Sequence, residues 1–205
     1  VVDQGFFHAQ QQVGSLEPNL MSDLLGALAD YKIALITKFH EVARLDMIWY
    51  GDDWGTQDRL FMSPILWRRV IKPPTQRLYD CMKAHGILVN QHSCGKIETI
   101  FGDIVGMGAD MWNPCQPCND LAALKREYGE RIAFFGGLDS QFVLDRPGTT
   151  PDDIRREVRR RIDELASGGG YIAAPSHEVP YDPELLQAME DEIEVYGRAC
   201  YHSNS

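Results

Sequence analysis

Gly86-Ile87-Leu88-Val89-Asn90-Gln91-His92-Ser93-Cys94-Gly95 reads as a short apolar strand that runs out into polar residues. Side chains two apart on a strand share a face, so the His92 imidazole and the Cys94 thiol project together. Imidazole nitrogen and thiolate sulfur are ligands that zinc accepts, and a catalytic zinc needs three protein ligands with one position open. By itself the pair is a short signal, because buried free cysteines and hydrogen-bonded histidines also occur in ordinary cores.

The same form recurs on both sides. Upstream, Asp46-Met47-Ile48-Trp49-Tyr50-Gly51-Asp52-Asp53 is an apolar run closed by a glycine and two carboxylates. Downstream come Ala109-Asp110-Met111-Trp112-Asn113, then Ile132-Ala133-Phe134-Phe135-Gly136-Gly137-Leu138-Asp139, then Tyr171-Ile172-Ala173-Ala174 before Pro175-Ser176-His177. Helical periodicity fills the gaps. Residues 16–44 carry two helical segments, one through Leu20, Leu24, Leu25 and Leu28, the next through Ile33, Leu35, Ile36 and Val42. Ser63-Pro64 caps a helical stretch reaching Ala84, and further helices are expected over about 97–105, 120–128, 150–165 and 183–196.

Five short strands alternating with helices imply a parallel sheet with helical crossovers in an α/β fold. Each strand ends in candidate functional residues, and strand ends are where such folds keep their sites. A closed (β/α)8 barrel takes eight strands and typically about 250 residues. Five units therefore mean either a barrel lacking upstream strands or an open doubly wound sheet. No internal repeat or linker divides the chain, so residues 1–205 are taken as one partial domain.

Composition narrows the role. The chain has 205 residues, 44% hydrophobic and 24% charged, as ordinary globular domains do. A net charge of -10 repels phosphate backbones and anionic lipid, which argues against nucleic acid or membrane surfaces as partners. No apolar run approaches the roughly 20 residues of a membrane span. The N-terminus, Val1-Val2-Asp3-Gln4-Gly5, lacks a signal-peptide pattern and reads like a chain cut from something longer. Five cysteines, an odd number, fit a reduced, cytoplasmic setting better than a disulfide framework.

The ordered motifs Gly51-Asp52-Asp53-Trp54-Gly55-Thr56-Gln57, Ser63-Pro64, Lys72-Pro73, Lys83-Ala84-His85-Gly86, His92-Ser93-Cys94-Gly95, Gly108-Ala109-Asp110, Asn113-Pro114, Gln116-Pro117, Gly136-Gly137-Leu138-Asp139-Ser140-Gln141 and Ala174-Pro175-Ser176-His177 resemble the uroporphyrinogen decarboxylase (URO-D) superfamily. More narrowly, they resemble its methyltransferase-like branch. The resemblance spans most of residues 16–198 and implies a partial TIM (β/α)8 barrel, about five C-terminal β/α units with the N-terminal strands missing.

It also implies two chemistries. In the corrinoid-linked methyltransferases a zinc held by a His-x-Cys pair and a late-strand cysteine activates a thiol toward a methyl group on a corrinoid, which a partner corrinoid protein carries. Here His92 and Cys94 match the first two ligands, and His177 or its neighbour, in Pro175-Ser176-His177-Glu178, stands where the third would be. Asp53 is the candidate fourth or outer ligand and, with His177, a candidate catalytic residue. Gln57, Asn113 and Asp139 are candidate substrate contacts, and Trp54 a candidate pocket wall. The alternative is metal-free decarboxylation of a uroporphyrinogen-like small molecule, with His177 and Asp53 touching substrate. A third reading is a non-catalytic partial barrel that binds or assembles. An unclosed sheet exposes edges and an inner face, so self-association or a partner completing the barrel is expected.

Other motifs have plainer meanings. Cys115-x-x-Cys118 lacks a second half-site. The arginines of residues 155–161 leave Ile154, Val158, Ile162 and Leu165 on one stripe, the pattern of a solvated helix packed on its other face. Gly168-Gly169-Gly170 reads as a turn, not a dinucleotide loop. Trp49, Trp67 and Trp112 read as packing residues, and His8, His40, His85 and His202 carry no pattern.

Overall fold

The fold follows from what the five apolar runs pair with. A computed structural model describes residues 17–177 and 182–203. His8 and Glu178 lie outside them. Helix α1 (Pro18–Ala43) leads to β1 (Met47–Gly51), and α2 (Pro64–Val70) with α3 (Lys72–Ala84) leads to β2 (Leu88–His92). Then come α4 (Glu98–Met107), β3 (Met111–Asn113), α5 (Leu121–Tyr128) and β4 (Ala133–Leu138). A π-helical turn (Ser140–Leu144), α6 (Pro151–Leu165), β5 (Tyr171–Pro175) and α7 (Pro183–Ser203) complete the described chain.

All strand pairings are parallel, in the order β1-β2-β3-β4-β5. A doubly wound sheet reverses its strand order at a switch point. This one does not, so the barrel alternative holds: the sheet is an arc of a (β/α)8 wall.

Side-chain parity agrees. Val89, Trp112 and Phe134 face the helices and are fully buried, with Phe101 of α4 packed against Trp112 (ring centroids 4.9 Å apart). On the opposite face Met47, Trp49, Leu88 and Ile172 are between 45% and 57% exposed. That face would be the barrel interior. Helix α1 also exposes the apolar residues Leu20, Leu24, Tyr31, Leu35, Phe39 and Val42, while its Met21 and Ala29 are buried. Exposed apolar surface thus lies on α1 and on the inner sheet face from β1 to β5.

Two helical expectations need correction. Residues 18–43 form one helix, not two, because no residue between Leu28 and Ile33 interrupts the hydrogen bonding; it ends where Arg44 turns left-handed at φ 45°. Conversely the stretch from Ser63 divides at Ile71 into α2 and α3, where Pro73 and Pro74 remove backbone donors. Helix α6 starts on a Thr150–Asp153 capping box and buries Ile154, Val158, Ile162 and Leu165 as the spacing requires. Its Arg161, read as part of a solvated face, is instead buried against Glu157 at 3.0 Å. Among the described residues no helix is long and apolar enough to cross a membrane.

Candidate metal centre

Register lines up the strand ends before any side chain is considered. Gly51 pairs with His92, and His92 with Asn113, in one row across three strands. The loop after β1 then folds onto the loop after β2: Gly55 N–H donates to Cys94 O at 3.2 Å and Trp54 N–H to Ser93 Oγ at 3.0 Å. Gly95 has φ +80°, and a Cβ there would lie 2.2 Å from Gly55 C, so only glycine permits this approach.

The approach carries Asp53 to the His-x-Cys pair. Asp53 Oδ1 accepts the Cys94 backbone N–H at 2.7 Å and stands 3.3 Å from His92 Nε2. Cys94 Sγ is 3.5 Å from the same nitrogen. The three ligand atoms lie within 4.8 Å of one another. His92 Nδ1 is 2.8 Å from Asn113 Oδ1, which also accepts the Trp49 indole N–H at 3.1 Å. The Trp49 and His92 rings are 4.6 Å apart and tilted by 54°.

The electrostatics follow the contacts. Burial alone would lower the His92 pKa, but hydrogen bonding to Asp53, Cys94 and Asn113 pushes it up to about 10. Burial would raise Asp53, and the bonds from His92 and the Cys94 N–H outweigh it, holding the carboxyl below its ordinary range. Burial pushes neighbouring Asp52 up to about 6.

A relay triad would use the two imidazole nitrogens for two different partners in line. Here the Asp53 carboxylate and the Cys94 sulfur both face Nε2, while Nδ1 is held from behind by Asn113. Oxygen, nitrogen and sulfur donors converging on one space, with the far ring nitrogen anchored, form a donor set that suits zinc.

Beside this group a cavity of about 510 Å3 opens at the ends of β3, β4 and β5, with Gln57, Gln116, Cys118, Asp139, Asp145 and His177 on its wall. Gln116 ties it to the centre, accepting the Gly95 N–H at 2.5 Å. Two buried serines set its floor: Ser140 N–H donates to Ser176 Oγ at 3.3 Å, and His177 N–H to Ser140 Oγ at 3.0 Å. Glu157 Oε1 accepts the Asp139 N–H at 3.1 Å.

The candidate residues therefore separate. Asp53, His92 and Cys94 come together, whereas His177 stands on the cavity wall outside that group. Gln57 and Asp139 line the cavity. Asn113 is engaged with His92 instead of facing that cavity, because its strand row places it behind the ring. Trp54, expected on a pocket wall, is 4% exposed and packs edge-on against Trp67 at 5.1 Å. Two participants were not anticipated. Strand parity puts Trp49 on the face of Asp53 and so contained its signal; Gln116 stood in the Gln116-Pro117 motif, but no local pattern gave it a role.

A family model described as uroporphyrinogen decarboxylase (URO-D) matches residues 12–195. A uroporphyrinogen decarboxylase of Methylococcus capsulatus is 27% identical over 194 residues, covering 91% of this chain and 52% of that protein. The methylcobamide:CoM methyltransferase MtaA of Methanosarcina barkeri is 28% identical over 153 residues, covering 73% of this chain and 42% of that protein. A solved methyltransferase structure from Methanosarcina mazei superposes with a TM-score of 0.73 at 19% identity, covering 93% of this chain and 54% of that one. The chain spans about half the length of the curated relatives it matches.

Proposed function

The chain belongs to the uroporphyrinogen decarboxylase family, and from that premise we propose that it forms the C-terminal part of a zinc-dependent methyltransferase working between a corrinoid and a thiol. The observation that carries this reading is the convergence of Asp53 Oδ1, His92 Nε2 and Cys94 Sγ. Zinc held by these three residues would supply Lewis acidity that lowers the pKa of a thiol toward neutrality. Asp53 and Cys94, as anions, would balance the dication, and Asn113 would keep Nε2 aimed inward. Gln57, Asp139 and His177 would hold the substrate from the adjoining cavity. The corrinoid would arrive on a separate protein, and the exposed inner face would take further strands from another segment or chain. Five free thiols suit a reducing, cytoplasmic setting.

Metal-free decarboxylation is the second reading, favoured by relatives of that name and by His177 at the cavity. Charge weighs against it. On the described cavity wall, Asp139 and Asp145 would repel the carboxylates of a tetrapyrrole. The non-catalytic reading rests on the open inner face alone.

Metal analysis of the purified chain tests the proposal. About one zinc per chain, lost on Cys94→Ser, is the expected result; methyl transfer or decarboxylation at full rate after chelation would overturn it.

A further inference from the structure

Trp49 sits two residues before Gly51 on β1, 57% exposed, with its indole against the His92 ring. Its contacts settle a question that the imidazole alone leaves open. An indole N–H only donates. The Asn113 atom facing Trp49 Nε1 at 3.1 Å must therefore be the amide oxygen. That same oxygen faces His92 Nδ1 at 2.8 Å, so Nδ1 has to be the donor there. With Nδ1 carrying a hydrogen, Nε2 is the ring nitrogen that can offer a lone pair to a metal between Asp53 and Cys94 once its own proton is displaced.

From this chain of donors and acceptors we infer that Trp49 is a positioning residue for the metal centre, acting through Asn113 to fix the metal-binding tautomer of His92. Without the indole N–H, the Asn113 amide can rotate and present its NH2 to Nδ1. That orientation favours a bare Nδ1 and a hydrogen on Nε2, which blocks coordination. Partners that orient a ligating histidine in this way typically change metal affinity 10- to 100-fold. The indole is also well placed to keep the ring from swinging into the open inner face, since it covers the imidazole from the β1 side. The inference rests on reading Asp53, His92 and Cys94 as the metal site.

Cobalt(II) titration of the 205-residue chain, read by its ligand-field absorption, separates the two. Trp49→Phe keeps the ring and removes the N–H; it is expected to weaken cobalt binding about tenfold with an unchanged unfolding transition. Adding Asn113→Asp should restore affinity, because a carboxylate presents oxygen however it turns. A Trp49→Phe chain that binds as tightly as the parent overturns the inference and leaves the metal reading standing. Failure of Asn113→Asp to rescue also overturns it, assigning the indole a packing role. A parent chain that binds no cobalt overturns both. Should Trp49→Phe not fold, nitrogen-15 spectra of the unmutated zinc-loaded chain decide: hydrogen on His92 Nδ1 is expected, and hydrogen on Nε2 with Nδ1 bare overturns the inference.

Discussion

Asp53 and Cys94, 41 positions apart, are joined by a 2.7 Å hydrogen bond from the Cys94 backbone N–H to Asp53 Oδ1. The bond fastens one strand-end loop to the next and leaves the carboxylate facing His92 Nε2. Asp53→Asn keeps an oxygen for the N–H and removes the charge. Zinc affinity should fall by more than the tenfold that loss of an outer hydrogen-bond partner costs, measured by competition with a chelating dye. Unchanged affinity would place Asp53 outside the metal shell.

In the metal-free chain His92 holds its proton up to about pH 10, and the Nε2 proton occupies the space a metal would need. Zinc must displace it. Apparent zinc affinity should rise with pH through the neutral range toward 10, with at least one proton released per zinc below that pH. Calorimetry in buffers of different ionisation enthalpy counts the protons. Binding that is independent of pH between 6 and 9 contradicts the arrangement.

Asp52 has its pKa raised by burial to about 6, above the roughly 3.9 of an unfolded aspartate. Between these values the folded chain retains the proton and the unfolded chain has lost it, so stability falls as pH rises through this window. Asp52→Asn should abolish that slope and stabilise the chain at pH 7 by about 1 to 3 kcal/mol. Denaturant melts at pH 4 and pH 7 give both quantities.

Gly95→Ala forces a Cβ to within 2.2 Å of the Gly55 backbone at a left-handed φ. A loss of roughly 3 kcal/mol is expected, together with weaker zinc binding, because the Gly55 and Gly95 loops bring Asp53 to His92. Gly106→Ala in α4, where nothing lies within 4 Å, is the control and should be neutral or slightly stabilising.

Met47, Trp49, Leu88 and Ile172 expose apolar surface on the inner sheet face, and α1 exposes Leu20, Leu24 and Val42. Sedimentation velocity should reveal concentration-dependent association of the isolated chain. A well-folded, strictly monomeric species at high concentration argues that this face is not an interaction surface.

Much of the architecture was legible in the amino-acid order. Apolar runs ending at Asp53, His92, Asn113, Asp139 and His177 announced parallel strands, and the two-residue spacing of His92 and Cys94 put them on one face. Periodicity marked the buried stripe of α6 through Ile154, Val158, Ile162 and Leu165. It did not separate one long α1 from two shorter helices, and the stripe it marked through Leu20, Leu24, Leu35 and Val42 is exposed, whereas Met21 and Ala29 are buried. Nor did it reveal the burial of Arg161, which depends on Glu157 and on Glu164, 2.6 Å away.

Sequence alone determined which residues could share a face, since strand and helix periods are local properties of the backbone. It left open whether five strands formed a barrel arc or a doubly wound sheet; consecutive strand order decided that. It also left open which strand ends meet. That Asp53 joins His92 and Cys94, that His177 stands on the neighbouring cavity, and that Trp49 reaches His92 through Asn113 all follow from register and from the close approach of Gly55 to Gly95. These are relations between strands distant in sequence, set by packing and hydrogen bonding across the sheet.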